Sequence, residues 1–441
     1  MNEWAERQFK LKERNTDIRT EVMAGITTFM TMGYIIFVNP DILSKTGMPF
    51  GALMVSTCLA AAFSTLIMAF LANFPVALAS GMGLNAFFAF SVVLTMKVPW
   101  ETALAAVFIE GLIFIALTFT KVREKVINGI PMSLKHGISA GIGLFIAFIG
   151  FQGSGIIVSN EATLVTSAGL KGNMPAILTI VGLVAIGAFE ALKVRGAILW
   201  GIIATTVLAV ATGVAPLPEA VVSMPPSIAP IFAKLDFSGV GIDFKNPAVV
   251  NFWIIVFTFF FVDFFDTVGT LVGVANRAGL LDKDGNLPNA RGALLADAIG
   301  TTAGAVLGVS TVTSYVESAS GVGVGGRTGL TALVTGLLFL LAIFFNPIIS
   351  IVPACATAPA LIFVGMYMLM NVASLDFNDW TELLPAMTAI FMMPFAYSIA
   401  AGIEFGFITY AVVKLLTGRA KDVSVIMWVL AIVFIAKELL M

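Results

Sequence analysis

Residues 251–275 read NFWIIVFTFFFVDFFDTVGTLVGVA, a run long and apolar enough to span a bilayer that nevertheless carries Asp263 and Asp266 near its middle. A carboxylate at the centre of hydrocarbon costs several kcal/mol even on lenient insertion scales. The i, i+3 spacing sets both acids on one helical face. That face must look onto protein or a wet cavity, because lipid satisfies no polar group. The chain therefore reads as an all-α polytopic membrane protein that keeps charge at mid-depth.

Composition agrees. Of 441 residues 59% are hydrophobic and only 11% charged, and the mean hydropathy is +1.00. The first twenty residues, MNEWAERQFKLKERNTDIRT, are polar, which predicts no cleavable signal peptide. Cys58 and Cys355 lie in or beside apolar segments and read as small core residues, not as a disulfide. A single histidine, His136, cannot build a His-based metal site, and no metal or cofactor is called for. A net charge of −2 without a basic tract gives no reason to expect nucleic acid.

Candidate membrane segments fall near 21–40, 51–72, 76–95, 101–120, 132–152, 174–192, 196–214, 249–275, 292–309, 311–325, 327–346, 356–373, 383–399 and 401–417, which makes fourteen. With the N-terminus cytoplasmic and alternate crossings, eighteen Lys and Arg fall inside and five outside, which fits the positive-inside rule and puts both termini in the cytoplasm. Residues 423–440 stay open between a fifteenth crossing and a surface helix. The Pro-rich connection 215–248 reads as an external loop with a short interfacial helix.

The chain also resembles itself. GAILWGIIATTVLAVATG (196–213) aligns without gaps on AGIEFGFITYAVVKLLTG (401–418), and TMGYIIFV at 31 lies over TVGTLVGV at 267. These matches pair the seventh segment with the fourteenth and the first with the eighth. Seven is odd, so the second copy enters the membrane inverted, as in many secondary transporters. In such folds the site lies at mid-depth, where short Gly-rich segments are broken. The third segment, NFPVALASGMGLNAFFAF, and the tenth, GVSTVTSYVESASGVGVGGRTG, are of that kind, and carry Asn85 and Glu317. These two are expected to converge with Asp263 and Asp266. Such a set suits a flat, neutral, nitrogen-rich ligand, since carboxylates accept from N–H groups and the Asn amide both donates and accepts. Phe87, Phe88 or Phe264 could supply a stacking face, although core packing is the commoner fate of such rings. Carboxyl groups in a half-dry site favour holding a proton, so Asp266 or Glu317 is a candidate proton carrier.

Four motifs carry a family resemblance: GITTFMTMGYIIFVNP (25–40), GMGLNAFF (81–88), FVDFFDTVGTLVGVANRAG (261–279) and TSYVESASGVGVGGRTGLTA (313–332). The chain resembles the AzgA-type purine permeases, carriers of hypoxanthine, guanine and adenine within the nucleobase–ascorbate transporter superfamily. The resemblance implies fourteen helices in two inverted seven-helix repeats, with a core domain (21–120 and 249–346) and a gate domain (121–214 and 347–418). Around these lie a cytoplasmic arm (1–20), the external loop (215–248) and the C-terminal hydrophobic helix (419–441). It further implies Asn85, Asp263 and Glu317 as purine-binding residues and Asp266 as the coupling acid, in a proton-coupled importer of the cytoplasmic membrane. A homodimer is compatible with the chain but not legible in it.

Other acids have plainer readings. Glu110 and Glu404 lie in apolar segments without acidic repeat partners and read as structural. Asp297 reads as a helix-dipole partner near the start of the ninth segment, or as facing the core domain. His136 reads as an interfacial residue. The rival functions are a uracil, xanthine or anion carrier on the same architecture, a membrane enzyme with an aspartate dyad, and a channel. GVGVGGRTG lacks the GxxxxGK[ST] spacing of a phosphate loop.

Overall fold

A computed structural model of the chain describes residues 2–119, 130–241, 246–280, 287 and 289–440. Lys121, Arg123, Lys125, Lys245 and Lys283, which contribute to the charge asymmetry, lie outside the described residues. The first half contains α1 (Asn2–Phe9), α2 (Ile18–Met32), α3 (Ile35–Ser44), α4 (Phe50–Ile67), β1 (Leu78–Ser80), α5 (Met82–Ala86), α6 (Trp100–Thr118), α7 (Met132–Gly153), the hairpin β2 (Ile157–Asn160) and β3 (Leu164–Ser167), α8 (Met174–Ala191) and α9 (Ala197–Ala211). The second half contains α10 (Pro247–Ala278), α11 (Ala290–Leu307), β4 (Val312–Ser314), α12 (Ser318–Val324), α13 (Gly329–Ala342), α14 (Asn346–Ile349), α15 (Ala354–Leu369), α16 (Trp380–Phe395), α17 (Ile399–Leu416) and α18 (Val425–Leu440). After α4 and α5 the chain continues in wider π-helical turns, Met68–Ala72 and Phe87–Thr95.

Local signals place the helix ends. Asn246 accepts from the Ala248 amide at 3.0 Å to cap α10, whose first residue is Pro247. Gly279, at φ 65°, closes the same helix in the left-handed conformation that glycine adopts without strain. Asp17, Asn173, Asp379 and Ser398 cap α2, α8, α16 and α17 in the same way. Buried Glu21 caps from a distance: it accepts from the amides of Arg327 at 2.8 Å and Thr331 at 3.1 Å, and from the Thr331 hydroxyl at 2.6 Å. It thereby satisfies donors that the start of α13 would otherwise leave unpaired inside an apolar slab.

Among the described residues nine helices are long and apolar enough to cross a membrane by length and composition. The third, seventh, ninth, tenth and thirteenth expected segments are not among them. Extended residues interrupt the third and tenth; α9 has 15 residues and α16 has 16; α11 carries Arg291 and Asp297.

Two groups of helices pack within themselves. One comprises α2, α4, α6, α10, α11, α12 and α13, the other α7, α8, α9, α15, α16 and α17. Small residues permit a close crossing in the second group: a Cβ on Gly143 of α7 would stand 2.5 Å from the Gly365 carbonyl of α15. The expected interfacial helix in 215–248 does not form among the described residues. Prolines there remove backbone donors, and the loop is instead tied down by amides of Ser223, Ala233 and Asp236 bonded to the carbonyls of Phe344, Val306 and Glu101. The C-terminal helix α18 is not a detached surface element. It lies against α17 and α10, with the Phe434 ring 5.8 Å from Phe407 and 6.2 Å from Phe257.

Candidate functional site: acids around a two-stranded crossing

The third and tenth segments break where β1 and β4 pair antiparallel, with Leu78 opposite Ser314, Ala79 opposite Thr313 and Ser80 opposite Val312. The pairing answers the problem that extended backbone poses inside a membrane, because each strand satisfies the other's amides and carbonyls. Thr65 of α4 extends the ladder by bonding both the amide and the carbonyl of Leu78, at 2.9 and 3.0 Å. Beyond it the Gly81 amide reaches the Thr311 carbonyl and the Tyr315 amide reaches Ala77. Two short helices start from this crossing, α5 after β1 and α12 after β4, so two N-terminal helix ends with their surplus of amide donors meet in one region.

All four candidate residues gather there. Asn85, in α5, accepts through Oδ1 from the Ser310 hydroxyl, while its Nδ2 is buried without a partner. Asp263 and Asp266 stand on the face of α10 turned to β4: Asp263 Oδ2 is 3.5 Å from the Thr301 hydroxyl, which itself donates to the Val312 carbonyl at 2.7 Å. Asp266 Oδ2 is 3.5 Å from Thr313 Oγ1. Glu317 immediately precedes α12, and its Oε1 accepts from the Tyr34 hydroxyl at 2.6 Å.

Exposure divides the four. Asn85 and Asp263 are wholly enclosed, Glu317 is half-buried and Asp266 is exposed. Phe87, Phe88 and Phe264 present almost no surface, each 1% exposed or less. Phe87 packs edge-on to Phe259 at 4.9 Å, with Phe88 on the same ring, and Phe264 packs on Phe114 and Phe260. As placed, these rings fill the core and show no face to a ligand.

Three participants escaped the sequence reading. Tyr34 lies at the break between α2 and α3, inside what the sequence reads as one unbroken segment, 21–40. Asp297 is two turns into α11, beyond the first turn where the dipole acts, so of its two readings the helix-dipole one is corrected and the one that faces the core elements fits. It accepts from Thr267 at 2.8 Å and Ser314 at 3.2 Å, and Thr267 also meets Thr313 at 2.8 Å. Glu110, on α6, is wholly buried in the same group and is not a remote packing residue. Glu404 has the structural setting expected of it, paired with Lys437. An apolar recess of about 290 Å³ between α2, α3, α9 and α13, lined by Phe29, Phe37, Leu199 and Leu341, has none of the acids in its lining.

A family model described as "Permease family" (Xan_ur_permease) matches residues 19–405. The chain is 45% identical to the adenine permease AdeP of Escherichia coli K12, over 98% of this chain and 95% of that protein. It is 46% identical to the guanine/hypoxanthine permease PbuG of Bacillus subtilis 168, over 97% and 98% respectively. Its fold is similar to the transmembrane domain of the cyanobacterial bicarbonate transporter BicA, with a TM-score of 0.64 over 87% of this chain and 97% of that one. At 13% identity that last likeness is one of fold alone.

Proposed function

The chain belongs to this permease family, which makes it a multi-pass membrane transporter and not an enzyme, and we propose that it imports purine nucleobases together with protons across the cytoplasmic membrane by alternating access. The observation that carries the reading is the meeting of both broken segments at one strand crossing, with Asp266 and Glu317 beside it. A purine offers ring N–H and amino donors that carboxylates accept, and ring nitrogens that an Asn amide can donate to. Asn85, Asp263 and Glu317 are assigned to the base, and Asp266 with Glu317 to the proton. Asp263 and Asn85 then engage when the enclosed crossing opens. The full-length similarity to adenine and guanine/hypoxanthine permeases supports the substrate class.

The transport cycle assigned here moves a core (21–120 and 249–346) against a gate (121–214 and 347–418), in agreement with the two packing groups. Fourteen crossings from a cytoplasmic N-terminus fit the contacts between connections. Asp236 meets Glu101 and Thr102, Ala233 meets Val306 and Ser223 meets Phe344, all on the side assigned as external. Glu21 meets Arg327, Ser133 meets Glu382 and Asp379 meets Arg419, all on the cytoplasmic side. No contact in these two sets joins opposite sides.

The test is uptake of radiolabelled hypoxanthine and adenine in cells without their own permeases, with unlabelled purines, xanthine and uracil as competitors. Saturable purine uptake, abolished by a protonophore, is expected. Uptake displaced by uracil and not by purines, or accumulation that follows a sodium gradient and ignores the protonophore, would overturn the reading.

A further inference from the structure

Glu110 comes from α6, which packs against α11, α10 and the π-helical turns after α5. It has no exposed surface, and neither carboxyl oxygen has a conventional hydrogen-bond partner. Its carboxyl nevertheless faces that of Asp263 at hydrogen-bonding range, with Asp297 close enough to act on both electrostatically. Asp263 Oδ1 and Asp297 Oδ2 are also buried and unpartnered. Two carboxylates so placed have no hydrogen between them; the contact becomes a bond only when one carries a proton.

Nothing else on the neighbouring elements neutralises the group. The charged residues of α10 are Asp263, Asp266 and Arg277, and Arg277 reaches towards Gly323 of α12. Those of α11 are Arg291 and Asp297, and the Arg291 guanidinium lies over the Phe119 ring just past the end of α6. Glu101 stands at the other end of α6, where its carbonyl holds the external loop. None of the ion pairs among the described residues involves the three acids. No group of three acidic, cysteine or histidine side chains among the described residues is gathered tightly enough to hold a metal ion. Several adjacent charges enclosed without a counter-ion are strongly disfavoured, and protons are the remaining way to remove them.

We propose that Glu110, Asp263 and Asp297 form a dry proton-holding site beside the pair Asp266 and Glu317, with Glu110 as a proton holder that never touches the transported base. This rests on the proton-coupled reading above and adds residues to it. In the state described, the Glu110 O–H points at Asp263. When Asp263 must be neutral, that O–H bond breaks, an O–H bond forms on Asp263, and the negative charge passes to Glu110. Thr267 and Ser314 donate to Asp297 and hold its carboxyl in place.

The experiment uses the full chain in liposomes, with two readouts: exchange of radiolabelled hypoxanthine against internal hypoxanthine, and accumulation driven by an imposed pH gradient. Glu110→Gln should keep exchange within about threefold of the parent while gradient-driven accumulation falls at least about tenfold and the pH dependence of exchange flattens. Asp297→Asn should divide the two readouts in the same way, and Glu110→Asp should retain coupling. Should Glu110→Gln not fold, Asp297→Asn carries the same expectation. Unchanged gradient-driven accumulation and an unchanged pH profile in the neutral variants would overturn the proposal, as would loss of exchange in well-folded Glu110→Gln and Asp297→Asn alike. A parent protein that exchanges no purine, or accumulates it regardless of pH, would instead refute the functional reading on which the site rests.

Discussion

Lys437 of α18 grips Glu404 of α17 at both carboxylate oxygens, 2.6 and 2.8 Å away, in a pair of which Glu404 keeps only 2% of its side chain exposed. Three residues towards the middle of each helix, Phe434 meets Phe407. One residue forward on α17 is thus matched by one residue back on α18, which is the register of an antiparallel hairpin. An element that follows α17 back along its length lies at the depth α17 spans. Of the two readings left open for 423–440, this register favours the fifteenth crossing, and the side of the C-terminus is what the next experiment decides.

The first prediction is topological. In a protein without Cys58 and Cys355, single cysteines at Lys421 and Leu439 should react with a membrane-impermeant maleimide from opposite sides of the membrane. Labelling of both from the same side would show that α18 does not return across the bilayer.

The ion pair itself supplies the second. Removing one partner of a buried pair leaves an uncompensated charge and typically costs about 3–5 kcal/mol. Lys437→Met alone should therefore lower the thermal midpoint in detergent markedly. Lys437→Met combined with Glu404→Leu should recover most of the loss, because both charges are gone. A double variant as unstable as the single one would mean that the pair acts through packing.

A pH prediction follows from the contacts at the start of α16 and the end of α17. Hydrogen bonds from Thr381 and then from Arg419 hold the Asp379 carboxyl well below the usual carboxylate range. A carboxyl depressed by folding stabilises the native state above its ordinary range and ceases to do so as pH falls through its folded value. Asp379→Asn should thus melt earlier than the parent at about pH 7, and the gap should narrow from about pH 4 downward. A gap independent of pH would assign the effect to the helix cap alone.

The fourth concerns the binding region. Glu317→Gln should weaken purine uptake roughly ten- to hundredfold, since charge-assisted bonds contribute about 1.5–3 kcal/mol. Tyr34→Phe removes the hydroxyl that orients Glu317 and should weaken uptake less than Glu317→Gln does. Asp266→Asn should leave exchange in place and abolish accumulation driven by a proton gradient. Normal affinity in Glu317→Gln at unchanged protein level would remove Glu317 from the site.

The sequence alone determined the features that a bilayer enforces on any chain. Apolar length marked the helices, side-chain oxygens and glycines marked many of their ends, and the cost of charge in hydrocarbon singled out Asp263 and Asp266 before any fold was known. Gly-rich interruption located the broken segments bearing Asn85 and Glu317. What only the tertiary structure decided was which faces meet. Glu110 looked isolated because its repeat partner is not acidic, yet the rotation and depth of α6 against α10 and α11 bring it to Asp263 and Asp297. Phe87, Phe88 and Phe264 could as well have lined a ligand until the packing of Phe259 and Phe114 covered them. Hydropathy reports how a segment relates to lipid and water. The turn and depth at which two distant helices touch come from side-chain packing between them, and no single segment carries that information.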